Sequence, residues 1–216
     1  ISAAEPWFAA YTAKKGKPVI LSTGMASIGE VDDTVRAFKE TGNDQLVLLQ
    51  CTTNYPSRHE DANLLAMQTI QKVFGVQIGY SDHTQDDTAC ISSIALGAKV
   101  IEKHFTLDKT LPGPDQSSSY DTEEFSRLVD NIRKAEKVLG SGKKEPCEIE
   151  KINAEGMRRS IVAKYFISKG EVVTEKMLTF KRPATGIPAS LLSHVVGKKS
   201  SHDLHEDKII SFKDLE

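Results

Sequence analysis

The sequence predicts an α/β protein that contains part of a (β/α) barrel followed by a small β-rich domain. First, short apolar segments that end in small polar residues alternate with segments whose apolar residues recur at helical spacing. Second, the four predicted strands begin near residues 17, 45, 76 and 98, a recurrence typical of successive barrel units. Third, the pattern changes beyond residue 141 to short β segments separated by turn residues.

The first two units follow directly from the amino acids. Residues 17–24 form an apolar run of β-forming residues that ends in Ser, Thr and Gly, which is typical of a buried parallel strand. The next helix begins at the capping box Ser27-Ile-Gly-Glu30 and ends at Gly42. Residues 45–52 are predicted to form the second strand, and residues 61–74 the helix that follows it.

The third and fourth units each end in a histidine. Residues 76–80 and 98–101 are predicted strands, with a helix over residues 88–96 between them. His83 and His104 follow these strands. Catalytic groups of parallel α/β barrels lie at the carboxyl ends of the strands, so we expect both imidazoles to face one site. The most regular helix of the chain, ended by Gly140, then closes the fourth unit.

Four units are half of a complete barrel, which has eight strands and typically needs about 250 residues. Only 140 residues precede the predicted linker. We therefore expect half of the barrel to be missing, and we interpret Ile1, with neither an initiator methionine nor a signal-peptide pattern around it, as an internal cut. A half barrel leaves two unpaired parallel edges, so we expect the chain alone to be poorly soluble.

Three regions are predicted along the chain. A partial barrel covers residues 1–140, a polar linker covers 141–157, and a β-rich domain covers 158–216. Within the last region, short strands are predicted at residues 160–163, 171–173 and 208–212. A domain of this size is near the lower limit at which one hydrophobic core suffices.

Composition and charge exclude two classes of partner. The net charge is −2, and no run of basic residues is longer than a pair such as Lys198-Lys199. The sequence therefore has no electrostatic footprint for nucleic acid. No apolar stretch approaches the roughly 18 residues of a membrane span. The three cysteines, Cys51, Cys90 and Cys147, are widely separated and form no CxxC pair, which indicates a reducing compartment, the cytoplasm by default.

Eight motifs occur in order along nearly the whole chain. They are Lys17-Pro-Val-Ile-Leu-Ser-Thr-Gly-Met25, Cys51-Thr-Thr-Asn-Tyr-Pro56, Glu60-Asp-Ala-Asn-Leu64, Gly79-Tyr-Ser-Asp-His-Thr84, Glu102-Lys-His-Phe-Thr-Leu107, Gly113-Pro-Asp115, Arg158-Arg-Ser160 and Lys181-Arg-Pro-Ala-Thr-Gly-Ile187. In these motifs the chain resembles the sialic acid synthases, that is, N-acetylneuraminate synthase and its legionaminic, pseudaminic and spore-coat relatives. The resemblance implies the C-terminal half of a (β/α)8 TIM barrel followed by an antifreeze-like (SAF, β-clip) domain.

The resemblance also implies a reaction. The family condenses phosphoenolpyruvate with an N-acetylmannosamine-type aldehyde, giving a nine-carbon 2-keto sugar acid and phosphate. His83 and His104 match the ligands of a divalent metal that activates the aldehyde for attack by C3 of phosphoenolpyruvate. Imidazole ligands favour transition-metal ions, so Mn²⁺ is expected, with Co²⁺ or Mg²⁺ as alternatives. A single strand-end histidine is more often structural, but two at equivalent ends of adjacent strands favour the metal site.

Further site residues are implied by the same motifs. Ser22 and Ser81 match positions that hydrogen-bond phosphoenolpyruvate through hydroxyl and nearby backbone donors. Tyr55 matches a tyrosine that contacts the sugar. Asp115 matches an acidic residue that holds sugar hydroxyls, and it joins the two histidines in the expected catalytic set.

Two positions depart from the family pattern. A family asparagine precedes the tyrosine by two positions, where this chain has Thr53, so its substrate-binding role is assigned to Asn54. Gln116 stands where relatives commonly have histidine, which bears on the identity of the acceptor sugar.

Asp82 and Glu102, beside the histidines, are expected to orient the imidazoles.

Arg182 implies a partner subunit. It matches the residue that the antifreeze-like domain sends into the active site of the other subunit, where a guanidinium contacts the N-acetyl group of the sugar. Each site is then completed in trans, and the resemblance implies a domain-swapped homodimer.

Two other functions stay open. In the first, the chain is an inactive fragment whose antifreeze-like domain serves as a binding or dimerisation module, because the phosphate-binding lysines and catalytic glutamate of the family lie upstream. In the second, the chain is part of a different barrel metalloenzyme, such as another phosphoenolpyruvate-condensing synthase. The β-rich tail argues against this second function. We expect the chain alone to be inactive.

Overall fold

The structure is a computed structural model that describes residues 3–216, so the predicted domain start at Ile1 lies outside the described residues. Two compact units divide between Gly142 and Lys143. The helices and strands of the first unit are α1 (Pro6–Ala13), β1 (Val19–Ser22), α2 (Ile28–Lys39), β2 (Leu46–Cys51), α3 (Leu65–Phe74), β3 (Gln77–Asp82), α4 (Thr88–Ala95), β4 (Val100–Lys103) and α5 (Thr122–Leu139).

The four strands of the first unit form one parallel sheet in the order β1-β2-β3-β4. Each strand pairs with the next along the chain, and a helix joins each pair, as parallel pairing requires. This sequential order of strand and helix is the arrangement of consecutive barrel units. The predicted α/β class and partial barrel are therefore confirmed.

The core of the first unit is built from the two central strands and the inner faces of the helices. Leu48 of β2 and Ile78 of β3 are fully buried, and Phe38 of α2 and Met67 of α3 pack into the same cluster. The capping box at Ser27 forms as predicted and fixes the start of α2. The edge strands β1 and β4 are more exposed than β2 and β3, since each has a single strand neighbour among residues 3–216.

Two helices of the first unit differ from the prediction. Helix α3 begins at Leu65 instead of residue 61, because His59–Asp61 forms a separate 3-10 turn. Helix α1 was not predicted, since its apolar residues do not cluster on one face: Ala9 is buried, whereas Trp7 is 71% and Tyr11 55% exposed.

The second unit contains α6 (Glu148–Met157), β5 (Ser160–Ala163) and β6 (Leu178–Lys181). Helix α6 lies where the sequence predicts only a linker. Its composition is polar and none of its residues is buried, so it carries no periodic core signal. The backbone amide of Cys147 hydrogen-bonds the carboxylate of Glu150 at 2.9 Å and thereby caps the helix.

The β structure of the second unit is partly as predicted. Strand β5 matches residues 160–163, and its antiparallel partner β6 was missed. The segments predicted at 171–173 and 208–212 form only single bridges, Val172 with Lys199 and Ile209 with Val162, and each segment directly follows a turn, at residues 169–170 and 206–207. No helix in the described part of the chain is long and apolar enough to cross a membrane.

Gly79 permits the close pairing of β3 with β4. A Cβ atom at this position would lie 2.3 Å from the carbonyl oxygen of Val100 and 2.5 Å from the Leu49 side chain. We expect Gly79→Ala to lower the free energy of unfolding by about 1–3 kcal/mol, because the backbone of β4 must shift. Urea denaturation measures this change.

The control for this variant is Gly29→Ala in α2, where an added Cβ meets nothing within 4 Å. Alanine is the better helix former, so the control is expected to be neutral or stabilising. A Gly79→Ala protein as stable as the parent would contradict the close approach of the strands.

Candidate active site

The imidazoles of His83 and His104 lie side by side at the carboxyl ends of β3 and β4. Their ring centroids are 5.2 Å apart, with 58° between the ring planes. The ring of Tyr55 lies 4.1 Å from that of His83 and 5.4 Å from that of His104, measured between centroids. The structure thus brings together three of the side chains that the sequence assigned to one site.

These rings border a cavity of about 250 Å³ at the ends of the four strands. Its lining residues are Ser22, Gly24, Met25, Cys51, Thr53, Tyr55, Ser81, His83, Glu102 and His104. Strand alternation explains the lining, since residues two apart share one face of the sheet: Ser81 with His83, and Glu102 with His104. The predicted phosphoenolpyruvate-binding serines, Ser22 and Ser81, therefore share the cavity with both histidines.

The protonation of His83 is set by a backbone contact. Nδ1 lies 2.7 Å from the carbonyl oxygen of Thr52. A carbonyl oxygen only accepts hydrogen bonds, so Nδ1 carries the proton and donates the hydrogen bond, and Nε2 has the lone pair in the neutral ring. Burial lowers the pKa of His83, but hydrogen bonds to the Cys51 thiol and the Thr52 carbonyl outweigh burial, and the pKa is raised overall. Nε2 is therefore the nitrogen available to a ligand.

Cys51 and Thr53 line the cavity although the sequence analysis gave neither a role. Burial raises the pKa of the Cys51 thiol, but hydrogen bonds with His83, Ser22 and Ser81 bring it below the ordinary value. Thr53 has space because the neighbouring residue is Gly24, where a Cβ atom would lie 2.2 Å from Thr53 Oγ1. Side chains alternate along an extended chain, so Cys51, Thr53 and Tyr55 face the same side. This spacing of two residues was the signal available in the sequence.

Asn54 and Asp115 do not line the cavity. The side-chain amide of Asn54 instead donates to the carbonyl oxygen of Pro56 at 2.9 Å. Asp115 precedes the 3-10 turn Gln116–Ser118. The pKa of the Tyr55 hydroxyl is raised by burial first and then by the negative charges of its neighbours, of which Asp115 is one. Asp115 therefore lies within electrostatic reach of Tyr55.

The two carboxylates beside the histidines have other partners than expected. Glu102 accepts a hydrogen bond from the hydroxyl of Ser81 at 2.7 Å. Asp82 forms an ion pair with Lys103 at 2.6 Å and accepts a hydrogen bond from the thiol of Cys90 at 3.1 Å. Burial, followed by the charge of Asp82, raises the pKa of Cys90, which keeps the thiol protonated as a donor. Neither carboxylate hydrogen-bonds an imidazole.

The donor set fits a divalent cation with open coordination positions. Among residues 3–216, no group of three or more His, Cys, Asp or Glu residues could hold a metal ion. The site offers a pair of imidazoles, and a cation held by two nitrogen ligands keeps positions for water and substrate oxygens. The Thr52 contact of His83 is typical of metal-binding histidines, whose second nitrogen donates to a backbone carbonyl or carboxylate.

Arg182 lies in the second unit, directly after β6. Its Nε donates to the carbonyl oxygen of Met157 at 2.9 Å, and the side chain is exposed. The hydroxyl of Ser160 donates to the carbonyl oxygen of Pro183 at 2.7 Å and accepts from the amide of Gly186 at 2.9 Å. The loop that carries Arg182 is thus held to β5.

The sequence profile of the NeuB family matches residues 5–144, and that of the SAF domain matches residues 158–216. An uncharacterized protein of Methanocaldococcus jannaschii is 49% identical over 94% of this chain and 60% of its own length. The N,N'-diacetyllegionaminic acid synthase of Campylobacter jejuni is 42% identical over 92% of this chain and 60% of its own length. The chain thus spans about 60% of the length of these curated relatives.

A solved structure agrees with these matches. The N-acetylneuraminic acid (sialic acid) synthetase of Leptospira borgpetersenii, crystallised with citrate, superposes with a TM-score of 0.65 at 37% identity. The superposition covers 72% of this chain and 55% of that protein. Because the NeuB profile matches more than half of the residues and the SAF profile most of the remainder, the chain belongs to the NeuB family, and its resemblance to the sialic acid synthases is confirmed.

Proposed function

We propose that the chain supplies the cation-binding and sugar-binding part of a sialic acid synthase-type active site. The reaction condenses phosphoenolpyruvate with an N-acetylmannosamine-type aldehyde, which yields a nine-carbon 2-keto sugar acid and phosphate. The observation that carries the proposal is the pair of imidazoles, His83 and His104, beside Tyr55 at the edge of a strand-end cavity. The sugar-acid synthases among the relatives support it.

His83 and His104 would hold the divalent cation, for which Mn²⁺ is the best candidate and Co²⁺ or Mg²⁺ are alternatives. When bound, such a cation supplies Lewis-acid activation of the aldehyde oxygen. The protein's own contribution is to fix the ligand atoms. The Thr52 carbonyl holds the His83 proton on Nδ1, so Nε2 is directed to the cation without a change of tautomer.

The polar groups around the cavity suit two anionic groups and a sugar. Ser22 would provide a hydroxyl donor for phosphate or carboxylate oxygens of phosphoenolpyruvate, and Ser81 would do so when its hydroxyl turns from Glu102 to the substrate. The raised pKa of Tyr55 keeps its hydroxyl protonated, so it can donate a hydrogen bond to a sugar oxygen. Asp115, near Tyr55, would accept hydrogen bonds from sugar hydroxyls.

A homodimer completes the site in this proposal. Arg182 would enter the active site of the partner subunit and hydrogen-bond the carbonyl oxygen of the N-acetyl group. The fixed loop around Pro183 and Gly186 favours this role, because a held loop presents a side chain in a defined direction.

Phosphate release tests the proposal. The chain is joined to the part of the Campylobacter jejuni synthase that it does not match, and the chimera is assayed with phosphoenolpyruvate, Mn²⁺ and a panel of N-acetylated amino sugars. We expect phosphate release that depends on both substrates. His83→Ala and Arg182→Ala chimeras are each expected to be inactive, because each lacks one part of every site.

Mixing the two inactive chimeras separates a dimeric site from a monomeric one. Random exchange of subunits gives heterodimers with one intact site, so about a quarter of the parental activity should return. Mixing chimeras that both carry His83→Ala is the control and should restore none. Full activity of the Arg182→Ala chimera alone would contradict the role of this residue.

A further inference from the structure

A buried ion pair lies immediately behind the two imidazoles. Asp82 and Lys103 are the last residues of β3 and β4, they are opposite each other in the register, and each directly precedes one of the histidines. Lys103 Nζ lies 2.6 Å from Asp82 Oδ2, and the two side chains are 2% and 0% exposed. Because side chains alternate along a strand, the pair occupies the opposite face of the sheet from His83 and His104.

The pair holds the backbone on both sides of His83. Lys103 Nζ donates to the carbonyl oxygen of Thr84 at 2.6 Å. The carboxylate of Asp82 accepts the amide of Thr84 at 2.9 Å and its hydroxyl at 3.2 Å. The residue before His83 and the residue after it are therefore both tied to a single side chain of β4.

The same pair also reaches the backbone of His104. The ammonium group of Lys103 lies 4.2 Å from the centroid of the Tyr120 ring, a cation–π contact. The amide of Tyr120 in turn donates to the carbonyl oxygen of His104 at 2.9 Å. One connected set of contacts thus fixes the chain at both histidines.

Little space separates the ion pair from the imidazoles. Asp82, Lys103, His83 and His104 line a common cavity of about 10 Å³. A volume of this size holds at most about one water molecule. The ion pair and the two imidazoles therefore lie close together at the strand ends.

We propose that Asp82 and Lys103 are positioning residues whose ion pair sets the separation of the His83 and His104 imidazoles, and through it the affinity for a divalent cation. The part that concerns affinity rests on the proposed function, whereas the part that concerns ring separation does not. Replacing both partners of a buried ion pair with neutral residues is often harmless to stability. A buried pair at this place therefore favours a role in geometry over one in stability alone.

The test is the double variant Asp82→Asn with Lys103→Met, which removes both charges and leaves neither unpaired. Two quantities are measured on the whole chain: the nuclear Overhauser effect between the ring protons of His83 and His104 without metal, and the affinity for Mn²⁺ from the electron paramagnetic resonance signal of the free ion. We expect the Overhauser effect to weaken at least about twofold and the affinity to fall roughly tenfold or more.

The matched control is Lys109→Met with Glu124→Gln, which removes another ion pair of the first unit, between the segment after β4 and α5. It should change neither quantity. Lys103→Arg, which keeps the charge but alters the length and shape of the side chain, replaces the double variant if that one does not fold, with the same two readouts expected to fall.

The outcomes distinguish the inference from the proposed function. A folded variant whose Overhauser effect and Mn²⁺ affinity both match the parent overturns the positioning role. A parent chain that does not bind Mn²⁺ contradicts the proposed cation site, and the Overhauser effect then decides the positioning role by itself.

Discussion

Replacing His83 or His104 by alanine is expected to lower the affinity of the chain for Mn²⁺ by at least about a hundredfold. Loss of a residue that only orients a ligand typically costs 10–100-fold in affinity, and loss of one of two ligands should cost more. Among the described residues, no group of three or more His, Cys, Asp or Glu residues could hold a metal ion, so the site depends on both imidazoles. Isothermal titration calorimetry with Mn²⁺ measures the change.

His59→Ala is the matched control for these variants. His59 also belongs to the first unit, and its Nε2 lies 3.0 Å from a carboxylate oxygen of Asp86. Its side chain is 56% exposed, and it does not line the cavity that contains His83 and His104. We expect this variant to bind Mn²⁺ as the parent does. Parental affinity in either the His83→Ala or the His104→Ala protein would show that the cation binds elsewhere.

The helices that the sequence predicts are those whose burial leaves a periodic pattern. Helix α2 has Val31, Val35 and Phe38 on one buried face, and this spacing is visible without a structure. Helices α1 and α6 have no such pattern: apolar side chains of α1 are exposed, and α6 buries no residue at all. Helix α1 begins at Pro6 without a side-chain cap, and α6 begins where the carboxylate of Glu150 accepts the amide of Cys147, so a buried face marks neither helix.

The candidate site was predictable to the extent that strand ends and alternation determine it. The positions of His83 and His104 follow from two adjacent parallel strands of similar length. The same alternation, through Cys51 and Tyr55, favours Thr53 as a cavity residue, whereas the match to the family motif assigns the substrate-binding role to Asn54. The structure brings Thr53 to the cavity and leaves Asn54 bonded to Pro56.

The ion pair behind the site was not predictable, because it depends on the register of β3 against β4. The sequence suggests Asp82 as a partner of the adjacent histidine. Alternation along β3 turns its side chain away from that of His83, but only the pairing of β3 with β4 shows that its carboxylate meets an ammonium group. A shift of one residue in this register would place Lys103 on the other face.

Lys103→Met alone is expected to lower the free energy of unfolding by about 3–5 kcal/mol, because it leaves the carboxylate of Asp82 buried without its counter-charge. The Asp82 side chain is fully buried, so water cannot replace the ammonium group. Hydrogen bonds from Thr84 and Cys90 remain, but they do not supply a positive charge. Equilibrium urea denaturation at neutral pH measures the loss.

Two further variants decide whether the unpaired charge is the cause. Lys109→Met removes the partner of Glu124 from an ion pair whose side chains are 36% and 27% exposed, and it should cost at most about 1 kcal/mol because water reaches both groups. Adding Asp82→Asn to Lys103→Met should return most of the lost stability, since the buried charge is then gone. If the double variant is no more stable than Lys103→Met alone, the cost comes from lost packing of the lysine side chain and not from the carboxylate that it neutralises.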